Sequence, residues 1–235
     1  MKKPFALAIW GLGVLLLCLS APARADLSPG GSDSTVSHTF NLSGLTLLAS
    51  GSASGSAGGT FGTVDWTLTD AVFADSNNVY GAGDLDFMYQ IAFTDVAFSE
   101  PGAVSTVGVS SFAGFSTDAG YTASGGSLPG GVFGDGSISG SYPPLQDSRS
   151  ADGAAVTFSW SDNSADNLTY NVVIVETNAT LYDGNGVANV TANAVDPTAT
   201  IFEPVAATVP EPGMFAPLAG GLMLLAVSAL RRRRV

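Results

Sequence analysis

The chain has 235 residues, of which only 12% are charged, against about 25% in an ordinary soluble domain. Basic residues sit mostly at the two ends, and residues 26–230 set one arginine against all 20 carboxylates, a formal charge of −19. That balance excludes a nucleic-acid partner and a phosphate clamp for phosphoryl transfer, while one cysteine and one histidine exclude a disulfide framework and a Cys- or His-built zinc site.

Residues 1–25 read as a secretory signal peptide. Lys2 and Lys3 precede an apolar run over 5–19, and Ala23-Arg24-Ala25 supplies small residues at the cleavage positions Ala23 and Ala25. The run is shorter than the ~20 residues of a spanning helix. Cys18 lies inside it as an apolar filler.

Residues 26–204 predict an all-β ectodomain, an antiparallel β-sandwich. Val36, His38, Phe40 and Leu42 alternate as an early strand, and the phase changes after Ser43-Gly44, as at a bulge or turn. The Gly/Ser run over 50–59 is expected to be a long loop. Val64, Trp66, Leu68 and Val72 then alternate with polar residues. Leu85, Phe87, Tyr89, Ile91 and Phe93 do so without a gap, with Asp84 and Asp86 on the other, solvent-facing side. Val156, Phe158 and Trp160 form a later strand, and Leu168, Tyr170, Val172 and Ile174 another. Turns are expected at Asn77-Asn78, Gly125-Gly126, Pro143-Pro144 and over 183–186. Short strands with this punctuation are the pattern of a sandwich, and about 180 residues can bury a core without covalent staples.

Few side chains in this domain offer chemistry. Asp84 and Asp86 share a strand face at ~6.6 Å, a glycosidase-like spacing, but their alternation makes them solvated carboxylates. His38 has apolar parity and no G-x-S-x-G elbow accompanies it, so it reads as a packed or hydrogen-bonded histidine. Asp162, Asn163, Asp166 and Asn167, and separately Asp183 and Asn185, place hard oxygen donors in loops. They are read first as turn formers, with Ca²⁺ as the alternative, because EF-hand spacing is missing. Tyr121 and Tyr142 are the aromatic candidates for a carbohydrate-binding surface.

Residues 205–212 form a linker that contains Val209-Pro210-Glu211-Pro212. Residues 213–230 carry no charge and at ~1.5 Å per residue span about one bilayer core. Arg231, Arg232, Arg233 and Arg234 follow and are expected to stay in the cytoplasm as a stop-transfer cluster, with the acidic domain outside. This ending resembles a PEP-CTERM sorting signal: a Pro-Glu-Pro element, an apolar helix with Ala219-Gly220-Gly221, and a terminal arginine run. Val156–Ser161, Thr177–Thr180 and Tyr182–Gly184 are similar to the closing strands of ectodomains in such proteins. The resemblance implies processing near Glu211 by an exosortase and passage from the inner membrane to the cell surface of a Gram-negative bacterium that makes exopolysaccharide or biofilm matrix. The expected function is therefore a non-enzymatic surface or matrix protein with a structural or adhesive role. A carbohydrate-binding module, calcium-assisted or not, is the alternative, and a secreted hydrolase is the weakest reading.

Overall fold

A computed structural model describes residues 27–33, 40, 42–59, 62–96, 104–122, 125–134, 143–160, 169–192 and 196–206. The signal peptide, the Pro-Glu-Pro element, the apolar tail and its arginines lie outside these residues. So do His38, Tyr142 and the 162–167 Asp/Asn loop.

Period-two alternation decides the architecture. In β3 (Gly62–Asp75), Trp66, Leu68 and Val72 are buried on one face. In β4 (Asp84–Val96), Leu85, Phe87, Tyr89, Ile91 and Phe93 are buried on the same side. These strands join β2 (Leu45–Gly59), β6 (Thr117–Thr122) and β9 (Val172–Thr177) in a five-stranded antiparallel sheet of order β2-β3-β4-β9-β6. Facing it is a six-stranded antiparallel sheet of order β1-β7-β8-β5-β10-β11. Its strands are β1 (Ser32–Asp33), β5 (Val104–Val109), β7 (Gln146–Arg149), β8 (Val156–Ser159), β10 (Leu181–Ala192) and β11 (Thr198–Val205). Val107, Val109, Val156, Phe158, Val190 and Ile201 face the first sheet across the main core. Burial of each such side chain is worth roughly 1.5–3 kcal/mol. The expected all-β class and its two antiparallel sheets are therefore present, and the sole helical turn among the described residues is the 3-10 turn Gly125–Ser127.

The five-stranded sheet is buried on its outer side as well. Ala71, Phe73, Met88, Val172 and Ile174 point away from the main core and pack with Phe40, Leu45, Leu128 and Phe133. The segment 125–134 is pinned there by Gln90, whose Nε2 donates to the Gly134 carbonyl at 2.8 Å and whose Oε1 accepts the Gly134 N–H at 3.0 Å. This second layer corrects the solvated reading of Asp86. Asp84 and Asp86 do share the polar side of β4, but Asp86 is only 2% exposed and burial raises the Asp84 carboxyl above its ordinary range.

Three other expectations are revised. The Gly/Ser run is no loop but the length of β2, which pairs with β3 along its whole course. Gly51, Ala53 and Gly55 turn inward and Ser52, Ser54 and Ser56 outward, so the small residues hide an ordinary alternation. Gly55 is required: a Cβ there would stand 2.6 Å from the Trp66 indole. Residues 183–186 form a bulge inside β10 rather than a turn. Phe40 and Leu42, the described members of the early strand, are not in a strand. The turn at Ser43-Gly44 and the shift of register between Leu47 and Ala49 agree with the expected change of phase.

The bulge has a partner across the sandwich. Phe202 of β11 faces it and has no pairing residue on β10. Its N–H donates instead to Asp70 Oδ2 of β3 at 2.8 Å, and its carbonyl accepts the Tyr89 hydroxyl of β4 at 3.2 Å. One edge of the sandwich is thereby closed by hydrogen bonds between the sheets.

Candidate functional site

Two surfaces carry the chemistry of the described residues. The first is a row of carboxylates on the outer side of the five-stranded sheet. Antiparallel register sets Asp86 of β4 opposite Glu176 of β9, and Glu176 opposite Asp118 of β6. Asp75, at the end of β3, joins them through the hairpin 76–83. Each of Asp75, Asp86 and Glu176 offers a carboxylate oxygen within 4.8 Å of the others. All four acids are at most 2% exposed.

The hairpin is built to cover this row. Asp75 Oδ1 accepts the Asn77 N–H at 2.8 Å, and Asn78 Oδ1 accepts the Tyr80 N–H at 2.9 Å. These Asx turns swing Asn78 over the sheet, where its Nδ2 donates to Asp86 Oδ1 at 2.8 Å and to the Thr177 carbonyl at 3.2 Å. Asp118 Oδ1 accepts the Ala119 N–H. Like charges directly opposite one another destabilise a sheet, and burial removes the water that would screen them. Shared protons or a hard cation offset such a row. Asp75, Asp86 and Glu176 are the described residues that could hold Ca²⁺, which takes carboxylate oxygens. The Asp183/Asn185 pair is occupied otherwise: the Asn185 backbone and amide N–H groups both donate to the Asp183 carboxylate at 3.0 Å and hold its pKa down. The pair thus shapes the local backbone of the β10 bulge.

The second surface is the outer side of the six-stranded sheet. One cross-strand row runs unbroken through all six strands as Ser32, Ser148, Thr157, Gly108, Asn189 and Thr198. The row beside it is Gln146, Ser159, Thr106 and Thr191. None of these side chains is ionisable, but the second row is continued by the exposed Asp196, whose carboxylate accepts the Thr191 hydroxyl at 2.7 Å. Over Gly108 the face dips into a groove of about 290 Å³ bordered by Thr106, Thr157, Val187, Asn189 and Thr191.

The positions singled out from sequence fare differently. Tyr121 is not an exposed platform: it lies on β6 and packs against the main core. Asp86 belongs to a cluster, whereas Asp75, Asp118 and Glu176 escape an alternation search because each stands at the end of a strand. The available signal is a carboxylate just ahead of a turn-forming asparagine, as in Asp75-Ser76-Asn77 and Glu176-Thr177-Asn178. Arg149, the lone base of the domain, was also legible as an oddity. It is 5% exposed. Its guanidinium donates to four carbonyls, those of Leu27, Phe112, Phe115 and Gly153, at 2.7–3.2 Å.

No protein-family model matches the chain, and no curated protein matches it either.

Proposed function

We propose that this chain is an exported protein of the cell surface or extracellular matrix. It is sorted through its C-terminal signal, and its β-sandwich has a structural or adhesive role in an exopolysaccharide setting. The observation that carries this reading is the order of parts along the chain. A two-sheet domain, strand in its described elements apart from one 3-10 turn, stands between a signal-peptide pattern and the sequence Val209-Pro210-Glu211-Pro212, an uncharged 213–230 segment and Arg231–Arg234. The partners in this reading are an exosortase for processing, the inner membrane before it, and exopolysaccharide after it.

No catalytic residue is assigned. An inverting glycosidase pair needs room for a water between its carboxyl groups, and Asp86 is instead enclosed with Asn78 and Glu176. Prolines such as those at 210 and 212 disfavour a helix, which suits a site that a processing enzyme is to grip. Each arginine resists entry into the bilayer centre by about 2.5–3.5 kcal/mol, which holds the tail on the cytoplasmic side.

The test is the intact mass of the surface form, with fractionation in cells that have or lack the exosortase. The expected result is a surface form that lacks residues 213–235 and a precursor held in the inner membrane when the enzyme is missing. A surface form that still carries 213–235 would replace this reading with a permanent single-helix anchor.

A further inference from the structure

We infer that the outer face of the six-stranded sheet docks an uncharged polysaccharide, with the groove over Gly108 as the centre of contact. The inference rests on the surface-protein reading above and names the ligand class of its adhesive face.

Charge gives the first argument. The domain carries a formal −19 over residues 26–230, yet the row through Gly108 contains no ionisable side chain, and the row beside it meets a single carboxylate at its outer end, Asp196, which accepts the Thr191 hydroxyl at 2.7 Å. An anionic polymer on this face is repelled by the carboxylates around it. A basic partner is drawn to those carboxylates, Asp196 at the end of the face included, and not to the uncharged groove over Gly108. An uncharged polymer loses nothing by lying there.

The chemistry of the face gives the second. Threonine and serine hydroxyls both donate and accept, and an asparagine amide does the same through its two atoms. Sugar hydroxyls have the same double character, so a polyol pairs with this face in either direction of its chain. Neighbouring strands repeat these groups at ~4.8 Å, and successive outward residues at ~6.7 Å.

Shape gives the third. Gly108 withholds a side chain at the one central place in the row between Thr157 and Asn189. The resulting groove of about 290 Å³ is close to the lower size of small-ligand sites. Val187, 44% exposed on its border, offers an apolar wall to ring C–H groups. The border is also held in place. Ser110 Oγ accepts the Val187 N–H at 3.1 Å, and the adjoining Ser111 has a φ of 77°. That is the one left-handed non-glycine backbone among the described residues, a conformation that persists where surrounding structure over-determines it.

Affinity electrophoresis of the full-length protein in mild detergent tests the inference. The gels contain dextran, a soluble β-1,3-glucan or galactomannan, with alginate as the anionic comparison. Gly108→Thr fills the groove; its Cβ meets only Thr157 Oγ1, at 3.4 Å, so the sheet accepts it. Asn189→Ala removes an exposed amide. At least one neutral glycan should retard the wild type equally at low and high salt. Gly108→Thr should weaken that retardation roughly tenfold, the cost of one or two lost hydrogen bonds, and Asn189→Ala should weaken it less. If Gly108→Thr does not fold, Asn189→Ala decides alone. No retardation by any of the three neutral glycans, retardation by alginate alone, or retardation that the folded variants leave unchanged would each overturn the inference. A protein processed at the surface as proposed but blind to all three glycans sinks this inference and leaves the sorting reading intact. Glycan binding by a protein that keeps residues 213–235 at the surface does the reverse.

Discussion

Asp70 stands at a position of β3 whose neighbours in parity, Leu68 and Val72, fill the main core. Its carboxylate is there because Phe202 has lost its partner to the β10 bulge and needs an acceptor for its N–H. Burial raises the Asp70 pKa above 3.8, and the Phe202 N–H only partly opposes the rise. The folded state therefore holds this proton more tightly than the unfolded chain does. The stability contributed by protonated Asp70 is fully present below about pH 3.8 and is lost as pH rises through the higher folded value. Asp70→Asn keeps an acceptor for Phe202 and removes the titration. Its melting temperature should consequently change less between pH 4 and pH 7 than that of the wild type, with a gain at pH 7. Differential scanning calorimetry across that range checks this, and identical pH profiles would contradict it. In the sequence, Asp70 shows only as a gap in an otherwise apolar run. A gap of this kind marks a buried polar group without saying what it binds, because Phe202 lies 132 positions away.

Elements settle which acids are neighbours. The row Asp86–Glu176–Asp118 exists because β9 pairs with both β4 and β6 in a register that stacks one acid from each strand. Glu176→Gln keeps the shape and an acceptor while removing one of the like charges. With EGTA present at pH 7 it should raise the melting temperature by roughly 3 °C, for about 1 kcal/mol of relieved repulsion. A fall of that size would show the carboxylate to be a net stabiliser. The strands themselves were largely legible. β4 shows an unbroken alternation, and β3 and β8 (Val156–Ser159) show most of one. β2 was not, because its inward residues are glycine and alanine and carry no hydrophobic signal. The need for them comes from Trp66, on another strand. The covering of the outer side of the five-stranded sheet was also hidden in sequence. Met88 occupies a polar-side position, and Val172 and Ile174, expected on the core side with Tyr170, turn outward while Val173 and Val175 face the main core; what covers them is a segment 125–134 whose glycines read as loop. The acid row followed the same rule: each member is visible, but register between distant strands is not.

At the scale of the whole molecule, the sandwich has one sheet largely covered on both faces and one whose outer face carries a hydroxyl-rich strip with a single carboxylate, Asp196, at its end. The destination proposed for the protein rests on its two ends alone, and its core gives no hint of it. Arg149 adds a consequence of another kind, for survival among secreted proteases. Between Arg24 and Arg231 it supplies the sole peptide bond that trypsin can cut, since no lysine and no second arginine occur there. That bond is tied on both sides: the Arg149 N–H donates to the Gly31 carbonyl, the Ser150 N–H to the Ala155 carbonyl, and the guanidinium grips four more carbonyls. The loops, which proteases usually enter first, contain no tryptic site. The domain should resist trypsin until it unfolds globally, then part into two fragments at residue 149, at a rate that follows its melting curve on electrophoresis. Cleavage at 149 well below the melting temperature would contradict the buried placement of this arginine. A domain whose only lysine or arginine is locked in the interior thus makes its resistance to trypsin a direct measure of its folding stability.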